Sequence, residues 1–459
     1  MFGNETSLIA ARFAQLAQER GAQPAMTFRG DERHPGSTFA YDFAKFWRRV
    51  ERVTGHLQST LGVQRGDRVA WLGFNHELQL VTLVACARVG AIFLPLNFRL
   101  AVPELQQVIG DAQPCLLVHD DAHADAAKAL ATTGLPHTHH DALIATASAR
   151  GLPLPEVHSD LPLLLVYTSG TTGRPKGAVH TQAALLANAR ASHWAHGFVP
   201  GDKVLSTLPM FHVGGLCIQT LPALLAGCEV VLHPRFDPST WLDEMHTSRP
   251  TLSLLVPATM RALFEHPRWA DTSLACLRGI MTGSSTVPLA YLHTLHTRGV
   301  PVGQVYGTTE TGPLSIVLRL PDAVARVGAS GWPQPEAQVK LIDTQGQEVG
   351  IGATGEVCIR AANLMRGYWR GDAAASLAAG LGLQDGWFHT GDLGQRAADG
   401  CITIVGRSKD MIISGGENIY PAEIENLLVT LPGVAECAVL GLPDARWGEV
   451  PVAALVRSA

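Results

Sequence analysis

Residues 161–166 form an unbroken apolar run, and a glycine-dense polar stretch follows at once: Tyr-Thr-Ser-Gly-Thr-Thr-Gly-Arg-Pro-Lys-Gly-Ala at 167–178. An apolar run bounded by turn residues reads as a buried strand, so the polar stretch is the loop leaving its end. Gly170, Gly173 and Gly177 let the backbone turn and approach a ligand closely. Thr168, Ser169, Thr171 and Thr172 offer hydroxyls and Lys176 a positive charge, the groups a polyphosphate asks for. The spacing is not that of the Walker loop: Gly-Lys-Ser/Thr is absent, and Pro175 interrupts any helix start. A Ser/Gly/Thr linker would share this composition. It would not sit between a buried strand and a helix-like segment at 183–195, well inside the chain.

The rest of the sequence sets that loop in a layered fold. Helical spacing at 8–20, 41–61, 77–90 and 103–112 alternates with apolar runs at 25–28, 67–72, 91–95 and 114–118. The alternation returns between 161 and 310, with runs at 203–208, 229–232, 252–256 and 279–282. It predicts parallel α/β layers. After Val327, short runs at 338–342, 354–359 and 401–405 read as a β-rich subdomain. A hinge-like passage at 407–416 precedes a helix at 421–431 and strands at 437–442 and 451–456. The expected organisation is a large α/β domain over 1–406, β-rich from about 327, and a small incomplete α+β domain over 407–459.

Bulk properties narrow the setting. With 459 residues, 46% hydrophobic and 16% charged, the chain is globular and long enough for about two or three structural units. A net charge of −5 gives no general attraction for nucleic acid or anionic membrane, and no apolar run approaches the ~18 residues of a membrane span. The eight cysteines are scattered without a CxxC pair, and no signal-peptide core opens the chain, so a reduced, cytoplasmic setting is expected. His137, His139 and His140 read as a solvated loop, lacking a carboxylate or cysteine at metal-ligand spacing.

Four further segments carry chemistry. In Gln-Val-Tyr-Gly-Thr-Thr-Glu-Thr-Gly at 304–312, Tyr306 can stack on a purine from a strand end, Gly307 frees the turn, and Glu310 offers the hard oxygen Mg²⁺ prefers. In Gly-Trp-Phe-His-Thr-Gly-Asp-Leu at 386–393, Asp392 in a glycine turn is suited to accept both ribose hydroxyls, while Trp387 and Phe388 read as core. In Gly-Arg-Ser-Lys-Asp-Met-Ile-Ile-Ser-Gly-Gly-Glu-Asn-Ile at 406–419, Arg407 offers a bidentate fork for ribose or phosphate oxygens. In Pro-Met-Phe-His-Val-Gly-Gly-Leu at 209–216, His212 lies among apolar neighbours, as either a packed or a substrate-site histidine would.

Taken together, these segments resemble the adenylate-forming (AMP-binding) superfamily of acyl-CoA synthetases, peptide-synthetase adenylation domains and beetle luciferases. The texture is similar to 4-coumarate and feruloyl-CoA ligases. The resemblance implies an ATP site made of residues 168–173, Lys176, Tyr306, Gly307, Thr308, Asp392 and Arg407, with Tyr306 on the adenine and Asp392 on the ribose. Thr309 would contact the α-phosphate or acyl oxygen, and Glu310 would hold Mg²⁺. His212 would line the acyl pocket with residues 282–285 and 305–307, where Gly283 leaves room. Lys409 would be a hinge, and Gly415 and Gly416 would line the channel for coenzyme A. The implied reaction makes an acyl-adenylate from ATP and a fatty or aryl carboxylic acid, then passes the acyl group to the CoA thiol; it needs no enzyme nucleophile, which agrees with the absence of a Gly-x-Ser-x-Gly elbow.

One departure stands out. The family's catalytic lysine lies near the end of the small domain, and no lysine follows Lys409 here. The expectation is therefore slow adenylation with nucleotide binding retained. Alternatives are an enzyme that loads a carrier protein, a luciferase-like oxidation, or a nucleotide-binding remnant.

Overall fold

The structure is a computed structural model that describes residues 8–30, 37–131, 134–145, 154–168, 175–283, 287–373, 375–376, 383–415, 417–444 and 446–457. Ser169, Gly170, Thr171, Thr172 and Gly173 of the predicted phosphate loop, Ser284 and Ser285 of the predicted acyl pocket, and Gly416 lie outside these residues.

Two large sheets organise the chain, one nine-stranded and one seven-stranded. Both are parallel in their interiors. In the seven-stranded sheet, Arg68–Leu72 runs between Ile92–Pro95 and Leu116–His119, and Val69 and Trp71 face one way while Ala70 and Leu72 face the other. Both faces are buried, which is why such strands read as continuous apolar runs rather than alternating ones. Val69 and Trp71 join a central core with Met26, Phe28, Val204 and Val230 of the nine-stranded sheet. Helices Glu77–Val89 and Gln182–His196 fill that central layer and are buried nearly all round, so their sequences carry little amphipathic signal. The outer faces of the two sheets pack on further helices through separate cores, one including Trp241, Met260 and Leu292, the other Leu105, Val108 and Leu130. The expected parallel α/β layering is thus present, in the order helix, sheet, helix, sheet, helix.

The sheet edges depart from expectation, and they carry the motifs. Lys176–Thr181 is a strand that returns antiparallel to Pro162–Thr168, so a hairpin partner, and not a helix, comes first after the glycine-rich segment in sequence. Val302–Thr308 and Gly312–Leu318 form a second hairpin, closed by residues 309–311. A third unforeseen strand, Phe39–Asp42, occupies the start of the segment read as helix, leaving the helix Phe43–Ser59. His137–His139 is also a strand, paired parallel with Leu116–His119, not a solvated loop. His140 is buried there, stacked on His76 at 4.1 Å, and its Nδ1 lies 3.1 Å from Asp141, a carboxylate the sequence reading did not assign to it.

Downstream, a four-stranded sheet in the order Ala337–Ile342, Thr354–Ala361, Phe388–Arg396, Ile402–Arg407 forms the β-rich region. Phe388 packs on its core as expected, whereas Trp387 lies between the cations of Lys340 and Arg360, 4.8 and 4.6 Å from the ring centre. A last sheet contains Ile412–Ser414, Glu417–Ile419 and the long hairpin Val434–Asp444 with Gly448–Arg457, beside the helix Pro421–Leu428.

Candidate active site

The candidate site has two clusters, one joining the second hairpin to the β-rich sheet and the other joining it, through Tyr368, to the first hairpin. Its first cluster centres on Asp392, a 5% exposed carboxylate. The Tyr306 hydroxyl donates to Asp392 Oδ2 at 2.7 Å, and Arg407 Nε lies 3.1 Å from Oδ1. Register places Asp392 opposite Arg407 on the neighbouring strand, so the pairing is built into the sheet. Burial pushes the Asp392 pKa upward, against the pull of Tyr306 and Arg407. Burial likewise raises the Tyr306 phenol well above its usual range, with the Asp392 charge adding to the effect, so Tyr306 stays a donor.

The second cluster centres on the turn at 309–311. Thr308 N–H donates to Thr311 Oγ1 at 2.9 Å and Thr311 N–H to Thr308 Oγ1 at 3.2 Å, which tightens the turn that presents Thr309 and Glu310. Gly307 is required here because a Cβ would stand 2.4 Å from the Gly312 carbonyl oxygen. The Tyr368 hydroxyl donates to Glu310 Oε1 at 2.9 Å, and Lys176 Nζ sits 5.5 Å from the Tyr368 ring centre. The neighbouring backbone stitches this arrangement together: Met365 N–H donates to Glu310 O, and Arg366 N–H and Trp369 N–H donate to Val179 O and Gly177 O.

Tyr368 and His180 were not anticipated. Tyr368 pairs in register with Ala178, so its side chain shares a face with Lys176 and His180, two residues to either side. His180 is fully enclosed, and burial lowers its pKa to about 4 despite the opposing influence of Glu310 and the Thr309 backbone. The imidazole beside the acidic turn is therefore neutral. Alternation of Lys176 and His180 along one strand was the available signal, but it needed the strand to be recognised.

The remaining predicted residues are placed less closely. His212 caps the short helix Val213–Gly215 by accepting from Gly214 N–H at 3.4 Å, and desolvation with Arg99 nearby lowers its pKa. Gly283 leaves no room of its own: a Cβ there would meet the Val305 carbonyl oxygen at 2.5 Å, so packing demands the glycine. Gly415, with φ +60, lies under the Trp447 indole, where a Cβ would approach to 2.6 Å. Lys409 occupies an exposed 3₁₀ turn, Ser408–Asp410.

A buried carboxylate is thus clamped by a phenol and a guanidinium, and the strand that carries the phenol leads into an acidic turn linked through Tyr368 to the lysine-bearing hairpin. Residues 13–369 match the AMP-binding enzyme family and 423–459 the AMP-binding enzyme C-terminal domain, and the chain belongs to this family. Within it, the chain is an ATP-dependent, AMP-forming acid–CoA ligase. It is 44% identical to indoleacetate–CoA ligase of Aromatoleum aromaticum over 89% of this chain and 81% of the relative. It is 42% identical to a feruloyl-CoA synthase of Amycolatopsis over 92% and 84%. Among solved structures, the Bacillus subtilis o-succinylbenzoate CoA synthetase in complex with its acyl-adenylate superposes with a TM-score of 0.85 at 30% identity, covering 98% of this chain and 88% of that one. No described helix is long and apolar enough to cross a membrane.

Proposed function

We propose that the acid this ligase activates is an aryl carboxylic acid, and that the two clusters divide the work on ATP. The observation that supports the division is the clamped Asp392. A buried carboxylate with two donors already on it has lone pairs aimed outward, and a ribose diol supplies two more donors without adding charge. Tyr306, four residues before Glu310, would then hold the adenosine while the turn at 309–311 meets the phosphates.

In this reading, the substrate carboxylate oxygen attacks the α-phosphorus of ATP, the bond to the bridging oxygen breaks, and pyrophosphate leaves. Thr309 and Lys176 face the charge that develops on the phosphates, and Lys176 neutralises part of it. Glu310 fits a Mg²⁺ ion: it is a half-buried carboxylate oriented by Tyr368 beside a neutral histidine, and Mg²⁺ commonly takes one or two carboxylates with phosphate and water. Bound there, the ion would neutralise phosphate charge and orient the triphosphate. The low pKa of His180 keeps a competing positive charge away from that position. In the second step the CoA thiolate displaces AMP from the acyl carbon, with His212 lining the approach.

The aryl assignment rests on the two relatives named for arylacetate and arylpropenoate substrates. A cytoplasmic setting is part of the proposal, supported by eight free thiols. Incubation with ATP, Mg²⁺, CoA and a panel of indoleacetate, ferulate, octanoate and malonate tests it. The expected result is AMP and thioester in equal amounts with an aryl acid at a kcat/KM at least tenfold above octanoate. Preference for octanoate would refute the aryl assignment. AMP without thioester would point instead to carrier loading or oxidation.

A further inference from the structure

A second constellation lies on the β-rich sheet, outside the residues assigned to ATP. Cys358 and His389 are direct register partners on adjacent antiparallel strands, and Glu356 lies two residues before Cys358 on the same face. The Cys358 Sγ is 3.7 Å from His389 Nδ1, and that nitrogen is 3.1 Å from Glu356 Oε2. All three donor atoms lie within 4.8 Å of one another. A tetrahedral zinc ion with bonds of about 2.3 Å to sulfur and about 2.0–2.1 Å to nitrogen holds those two atoms roughly 3.6 Å apart. The sulfur–nitrogen spacing already present matches that edge.

From this geometry we infer that Glu356, Cys358 and His389 form a binding site for a borderline-soft divalent cation of the zinc class, with the fourth position left to water. Three features support it. The donors come from two paired strands, so the spacing is set by the sheet and not by a loop. Glu356 serves the protein through its other oxygen, with Gly391 N–H donating to Oε1 at 3.1 Å, which steadies the carboxylate while Oε2 faces His389. His389 and Glu356 are partly exposed, at 22% and 28%, and give an ion a route to the enclosed sulfur.

The donor set also separates this site from Glu310. Thiolate and imidazole select zinc-like ions, whereas the lone carboxylate at 310 with phosphate oxygens suits Mg²⁺.

Anaerobic titration of the full chain with Co²⁺, without nucleotide, tests the inference and is independent of the ligase reading. The expected result is a near-ultraviolet thiolate-to-cobalt band that saturates at one equivalent and is bleached by Zn²⁺. The band should vanish in Cys358→Ser, weaken at least tenfold in affinity in His389→Gln, and persist in Cys437→Ser. Circular dichroism of each variant confirms that it folds. No band at millimolar Co²⁺, or a band retained in Cys358→Ser, would overturn the assignment.

Discussion

The two clusters of the proposed nucleotide site are built on different principles. At the Asp392 end the charge is held by direct partners on a sheet: Arg407 faces it in register, and Tyr306 reaches across from the strand Val302–Thr308. At the Glu310 end the charge sits in a tight turn, oriented by one phenol, with a lysine beyond that phenol and a neutral imidazole beside it. The first arrangement is suited to bind the same group before and after reaction. The second leaves charge incompletely compensated, which suits a phosphate chain and ion that arrive and depart during turnover. Ribose-end substitutions should therefore weaken all adenosine ligands alike, and phosphate-end substitutions should act mainly on kcat.

The largest effect is expected from Asp392→Ala. Removing the carboxylate abolishes two prospective ribose contacts and strands Tyr306 and Arg407, so kcat/KM for ATP should fall by about 150- to 25,000-fold, at ~1.5–3 kcal/mol per charged hydrogen bond. AMP binding, measured by calorimetry, should weaken in parallel; unchanged AMP affinity would break the comparison. Next comes Glu310→Gln, expected to lower kcat by about 100-fold while AMP affinity changes less than about threefold. Adenylation kinetics with varied Mg²⁺ check this, since the variant should need more of the ion. Tyr368→Phe removes one hydrogen bond of about 1 kcal/mol and should cost only about five- to tenfold in kcat.

The smallest expected effect concerns stability and pH. His180 and His196 both have folded pKa values of about 4, below the ~6.5 of an unfolded histidine. Between those values the unfolded chain binds the extra protons, so stability declines as pH falls from about 6.5 toward 4 and is unaffected by these groups above that window. His180→Gln should reduce the slope of unfolding free energy against pH by about one proton in that interval. Denaturant melts at several pH values measure it, and an unchanged slope would contradict the neutral assignment of His180.

Legibility in the sequence followed the same divide. Asp392 and Arg407 could be singled out by residue type, a carboxylate after Thr-Gly and a guanidinium after glycine, although the turn expected around Asp392 is part of the strand Phe388–Arg396; Glu310 could be singled out because glycines and threonines bracket it. Lys176 was singled out by the glycine and hydroxyl density around it, while residues 169–174 lie outside the described residues. Tyr368 was not, because it lies in a two-residue strand with no periodicity of its own, and its role exists only through pairing with Ala178. The return strand Lys176–Thr181 was missed for a related reason: its polar first residue merged with the loop, which concealed His180 on the same face. The histidines at 137–140 were misread because pairing with Leu116–His119, and the burial that comes with it, leaves no trace in local composition. Gly283 illustrates the converse, where a glycine taken as open space is in fact filled by the Val305 backbone.

Acyl transfer through an adenylate leaves an atomic signature in AMP. With an aryl acid labelled by oxygen-18 in both carboxyl oxygens, one turnover to thioester should deliver one heavy oxygen into the phosphate of AMP, since the attacking oxygen stays on phosphorus when the thiol displaces it. Unlabelled AMP, or label in pyrophosphate, would contradict the account.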